Sequence, residues 1–191
     1  MKILKEKQEV RGKIYRVFII CFLLLISCFF SNAFAEDDVM ELSKDKLINI
    51  DLLGVAFGMA RVEYEQSITE NSSLVFRGIF WHSTTESWRW DTYGGGFNYK
   101  RYGNKFAEGE WLAGGFDILD VYARYMGKDE RGYFVFPYAE AGYSFLLKET
   151  DWVITPSVSL GNYIGNIEIS NSNIPISGAG MRLSVLLSYP F

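Results

Sequence analysis

The residues best equipped for chemistry sit in one short stretch. His82 is the only histidine among the 191 residues; Ser83 follows it, and Glu86 and Asp91 lie close behind. A base, a hydroxyl and a carboxylate are the side chains of acyl transfer, in which the carboxylate orients the imidazole and the imidazole takes the proton of the attacking hydroxyl. The plainer reading, and the favoured one, makes His82 an interfacial or loop residue. A single histidine excludes a multi-histidine metal site. The two cysteines, Cys21 and Cys28, both lie in an N-terminal apolar run, so the rest of the chain can build neither a disulfide framework nor a thiolate site. No metal and no cofactor is expected.

A second group suits contact rather than catalysis. Trp88, Arg89 and Trp90 fall in a polar connection, Ser83 to Asp91, and Trp and Arg are enriched where proteins bind partners. A third group is ionic. Asp51, Glu63, Glu65, Asp117 and Glu140 are set against Arg77, Lys100 and Arg182, each in a stretch where charged and apolar residues alternate. Such charges pair with one another if they are enclosed.

The elements that must position these groups begin after a leader. Lys2, Lys5, Lys7, Arg11, Lys13 and Arg16 precede an apolar run from Val17 to Phe30, and Ala33-Phe34-Ala35 follows before the first acidic residues. This is the layout of a secretory signal peptide, 1–35, cleaved after Ala35. The run is about 14 residues, short of the roughly 20 needed to span a bilayer. Leu25-Ile26-Ser27-Cys28 also reads as a lipoprotein box, which would put a lipid on Cys28 instead. Removing six Lys and Arg and two Glu from the 19 basic and 23 acidic residues leaves a formal charge of −8. Nucleic acid is therefore a poor partner.

Residues 36–46 form an acidic tail. From 47 to 191 the alternation of apolar and polar residues predicts eight strands: about 47–56, 60–69, 73–82, 92–102, 111–125, 133–148, 152–164 and 176–191, with a bulge near Asp120. Hydrophobic residues make up 49% of the chain against 22% charged, and mean hydropathy is only +0.03, which does not suit a helical membrane protein. Aromatic residues reach 17%. They divide into two belts, Trp111, Phe145, Trp152, Tyr189 and Phe191 at one interface and Trp81, Trp88, Phe134 and Phe136 at the other, as girdles of a transmembrane barrel would. The polarity expected is apolar side chains outward and charges inward, in a closed antiparallel up-and-down transmembrane barrel. Closure is expected because an open edge in lipid leaves backbone groups unpaired.

The last strand carries a resemblance. Leu183, Val185, Leu187, Tyr189 and the C-terminal Phe191 alternate in a pattern that resembles the insertion signal of bacterial outer-membrane barrels, read by the barrel assembly machinery. The whole pattern resembles the small eight-stranded proteins of the OmpA/OmpX type, and the hairpin from Asn49 to Gln66 resembles uncharacterised outer-membrane barrel families. The resemblance implies a place in the bacterial outer membrane with both termini periplasmic. It also implies contact with outer-membrane lipid and lipopolysaccharide, and a structural or surface-binding role with an unknown extracellular ligand. Two alternatives stand beside that role. One is a lipid A-modifying acyltransferase or deacylase using His82 at the outer rim, although the His-x-Ser motif of the lipid A deacylases does not occur. The other is a narrow channel, which a side-chain-filled interior of eight strands disfavours. No catalysis is expected.

Overall fold

In a computed structural model of the chain, the structure describes residues 44–85, 88–125, 128–147, 150–169 and 172–191. The leader, the lipoprotein box at Cys28, Glu86 and all but the end of the acidic tail lie outside the described residues.

Eight antiparallel strands follow in sequence order: β1 (Lys46–Asp51), β2 (Met59–Thr69), β3 (Ser72–Thr84), β4 (Trp88–Tyr102), β5 (Gly109–Tyr125), β6 (Lys128–Leu146), β7 (Val153–Ile169) and β8 (Ser172–Pro190), with one short helix, α1 (Leu52–Ala56), between β1 and β2. Each strand pairs with its neighbours in sequence, and β1 returns to pair with β8, which closes the sheet into a barrel. Both described chain ends lie at one end of it, where the Phe191 N–H donates to the Lys46 carbonyl at 3.1 Å. We call this the lower end.

Closure is shorter than the sequence predicts. β1 meets β8 only from Leu47 opposite Pro190 to Asp51 opposite Leu186. Above that point β8, from Ser172 to Val185, pairs with β7 but has no strand on its other side among the described residues. A wall paired over its full height is therefore not what forms. The cause is local. Residues 52–56, expected to continue the first strand, turn into α1. The Asp51 carboxylate caps it, accepting from the Gly54 N–H at 3.0 Å, and the helix ends at Gly58, whose φ of +79° a side chain would resist. The Asp51-x-x-Gly54 cap and the Gly58 stop are visible in the sequence. The Leu-Leu-Gly-Val-Ala run between them reads equally as strand or helix.

The other differences lengthen strands. β4 starts at Trp88, β6 at Lys128, and β7 and β8 meet across 170–171, so three connections expected as loops are mostly paired ladder. No bulge occurs at Asp120: β5 keeps one register with β4 and β6 throughout. The irregularity lies instead between β2 and β3, at Ser67 to Thr69.

Side chains alternate across the wall as strand geometry requires. The outer face carries Ile50, Val62, Phe76, Phe80, Leu112, Phe116, Ile118, Leu160, Met181 and Leu183, all exposed, with Leu112 at 69% and Met181 at 67%. Leu183, Tyr189 and Phe191 lie outward, and Val185 and Leu187 share their parity. Charged residues on this face appear at the strand ends. On β4 the uncharged stretch is bounded by Asp91 and Arg101, with Arg89 beyond, and on β5 by Glu110 and Asp120, with Arg124 beyond. At about 3.3 Å per residue and a tilt of about 45°, each interval reaches about 23 Å along the barrel axis. Among the described residues no helix is long and apolar enough to cross a membrane, a statement that concerns helices alone.

Candidate functional site

The interior divides into two parts. The lower part is ionic. Arg61 on β2 is 1% exposed and sits at its centre, with Nε 2.8 Å from Glu63 Oε1, a guanidinium nitrogen 3.6 Å from Glu140, another 3.7 Å from Asp51, and a bond to Ser184 Oγ at 2.8 Å. Arg77 bridges Glu63 at 3.1 Å, Glu140 at 3.5 Å and Asp117 at 3.6 Å. Arg182 closes on Asp117 at 2.7 Å. Lys100 pairs with Glu65 at 2.8 Å, and Glu65 also accepts from the hydroxyls of Tyr102 at 2.7 Å and Ser73 at 2.5 Å. Ser157 donates to Glu140, and Asn49 reaches both Glu63 and Glu65. Burial of this kind is tolerable only because every carboxylate has a cation or donors in reach.

All eight charges singled out in the sequence thus face inward and meet. The sequence reading left out Arg61, the most connected of them. Its signal was present, since it alternates with Glu63 and Glu65 on β2. Below this network Leu47, Tyr102, Phe106, Ala107, Trp111, Ala113 and Val153 form an apolar cluster that stops the lower end. Lys100 lies over the Trp111 ring at 4.3 Å, joining the two layers. These buried side chains lie across the lower interior, which argues against a channel along the axis.

The upper part is apolar and hollow. A cavity of about 460 Å³ is lined by Met59, Ile79, Trp81, Trp90, Thr92, Leu119, Val121, Phe134, Tyr163, Ile176, Gly178 and Arg182, and it reaches Ala179 and Met181 on the outer face of β8. Its floor is aromatic. Phe136 stacks on Tyr163 at 4.3 Å and on Tyr138 at 5.6 Å, and the Arg182 guanidinium lies over Tyr138 at 5.0 Å. Trp81 and Trp90 face each other at 6.1 Å, and the Trp90 indole donates to Thr92 Oγ1 at 2.9 Å.

Several expected roles change here. Trp81, Phe134 and Phe136, expected in the upper girdle, line or floor the cavity, and Trp111, expected in the lower one, is 2% exposed inside. Parity decides this, because Phe80, Val135 and Leu112 occupy the outer positions next to them. Of the contact triad, all three fall in β4 and not in a loop. Arg89 points outward and pairs with Asp91 at 2.7 Å, while Trp90 points inward. His82 is outward too, with Nδ1 2.5 Å from Asp91 Oδ1. Ser83 is the next residue of the same strand and therefore faces the opposite side of the wall. The imidazole and hydroxyl are not brought together, and Glu86 lies outside the described residues. Among the described residues no cluster of three His, Cys, Asp or Glu could hold a metal ion.

No known protein family, no curated protein and no solved structure matches the chain. The likeness to OmpA/OmpX-type barrels therefore gains no support. What rested on it does not carry over: the outer-membrane address with periplasmic termini, the lipopolysaccharide and assembly-machinery partners, and the lipid A chemistry at His82. The surface-binding role is corrected as well: of the loop contact expected at Trp88, Arg89 and Trp90, all three stand in a paired strand, Trp90 turns to the cavity wall and Arg89 is held by Asp91.

Proposed function

We propose that this barrel binds one apolar chain in the upper half of its interior, with its outer face in lipid. The observation that carries the reading is the aromatic-walled and aromatic-floored cavity above the ionic lower half. Its volume falls in the range of small-molecule sites, and its lining is apolar with a few convergent polar groups, Thr92 and Arg182 among them. The apolar walls of an empty cavity lose dispersion contacts that a hydrocarbon would restore. The outer face supports the lipid setting. Exposed Phe, Leu, Ile and Met side chains recur on strand after strand of this face, as on a surface that meets an apolar medium, and its height, about 23 Å, is close to the roughly 25 Å apolar band of a membrane barrel. The ligand is held and not passed through, because the lower cluster and the ion pairs lie across the lower interior. The reading assigns no catalysis.

The test uses fluorescence of the full chain in detergent. A chain in which Trp88, Trp111 and Trp152 are Phe keeps only Trp81 and Trp90, both on the cavity wall. Titration with a long-chain fatty acid brominated on its chain should quench that emission saturably. Linear, unsaturable quenching equal to that of free tryptophan in the same detergent would refute the assignment.

A further inference from the structure

We infer that the ligand is an acyl chain of a membrane phospholipid, and that it enters sideways through the wall. The inference rests on the cavity-binding reading and adds the source and the route.

Among the described residues the ladder around the wall is interrupted at one place. Above Asp51, β1 is replaced by α1, which packs against β8 and β2, and beyond it β8 runs on with no strand along that edge. The cavity reaches this place: Met59, the first residue of β2, lines it on one side, and Gly178, Ala179 and Met181 of β8 line it on the other. Ala179 and Met181 belong to the outer face, so the hollow is continuous with the surface that meets lipid. The surroundings of the opening are apolar, with Leu52 and Val55 of α1 and Met181 and Leu183 of β8 all exposed. A solute arriving there comes from hydrocarbon, not from water.

The edge is built as an opening and not as a seam for another strand. Pro175 has no N–H to offer, and Gly178, Ala179 and Gly180 follow with little side chain to support pairing. A Cβ built on Gly178 meets nothing within 4 Å, so the inner side of the edge is empty space. The gap also lies toward the upper limit of the apolar band: Ser177 is opposite Ile164, and Asn166 and Glu168 follow on the outer face of β7. At that level the ester oxygens of a phospholipid and interfacial water can pair the free backbone groups of β8, while the chain below them turns inward.

Gly178→Leu fills the opening from inside. The experiment places the chain retaining only Trp81 and Trp90 in vesicles of phosphatidylcholine brominated on its acyl chains. Emission should be strongly quenched, Gly178→Leu should lose most of that quenching, and Gly114→Leu, on the outer face of β5 where a Cβ likewise meets nothing, should keep it. Far-UV spectra establish that each variant is folded. If Gly178→Leu does not fold, a cysteine at Ala179 in a chain whose Cys21 and Cys28 are Ser, labelled after folding with a bulky maleimide, occludes the same place. Quenching by phosphatidylcholine that survives occlusion overturns the lateral route. If the free brominated fatty acid still quenches saturably in detergent, cavity binding stands and only the route falls. If neither lipid quenches, the binding reading falls with it.

Discussion

The two halves of the interior share one wall, one alternation and one set of neighbours, yet they solve enclosure in opposite ways. In the lower half, five carboxylates and four cations among the described residues interlock with hydroxyls and aromatic faces. In the upper half most inward positions, Ile79, Trp81, Trp90, Leu119, Val121 and Phe134 among them, are large and apolar, and they leave space among themselves. Ion pairs need close approach and fixed geometry, so a charged interior is a filled one. Apolar rings gain from any contact and lose little by waiting for a ligand. The lower half is thus a structural plug and the upper half a receptacle.

The largest expected effect tests the plug. Arg61→Ala takes from Asp51 the one cation in reach among the described residues and leaves Glu63 and Glu140 to Arg77, and breaking one partner of a buried ionic network costs about 3–5 kcal/mol. Urea unfolding in detergent micelles should show a large drop in midpoint, or no folded protein at all. A midpoint close to wild type would mean that the lower half is wet and loosely held. Trp111→Ala removes a fully enclosed ring from the lower cluster and should cost a comparable amount, about 3–5 kcal/mol.

Trp81→Ala sharpens the contrast. Its ring already borders a hollow, so truncation creates less new void, and the stability loss should be less than half that of Trp111→Ala in the same assay. Its effect should fall on saturable quenching of Trp90 by the brominated fatty acid, which weakens. Equal losses for the two tryptophans would erase the distinction between the halves. Smallest is Asp120→Asn, which removes the outward Asp120–Arg131 pair at 2.7 Å. An exposed pair contributes little, and the unfolding midpoint should not move measurably.

Much of this was legible beforehand where a period of two is strong. The outward run Leu183, Val185, Leu187, Tyr189, Phe191 and the inward Glu63, Glu65, Arg77 and Glu140 fix their faces by position alone. Aromatic residues misled, because Trp81, Phe134 and Phe136 have the same composition signature inside a cavity as in a girdle. Only their parity against Phe80 and Val135 separates the two, and that parity is visible once pairing partners are known. The connections at 127–132 and 165–175 carry turn-forming residues but are mostly paired, since a hairpin ladder continues wherever its partner strand does.

The sequence by itself determined the strand count, the antiparallel order and which side chains share a face, because these follow from local alternation and short connections. Tertiary structure alone decided where the wall stops. Five residue pairs join β1 to β8, and α1 ends the seam by capping on Asp51 and turning at Gly58. Whether residues 52–56 extend or coil depends on what β8 and β2 offer them across the barrel. The Asp51 cap and the Gly58 stop are local signals, but the Leu-Leu-Gly-Val-Ala run between them reads equally as strand or helix, so local sequence alone leaves the choice open, and the cavity and its opening depend on it.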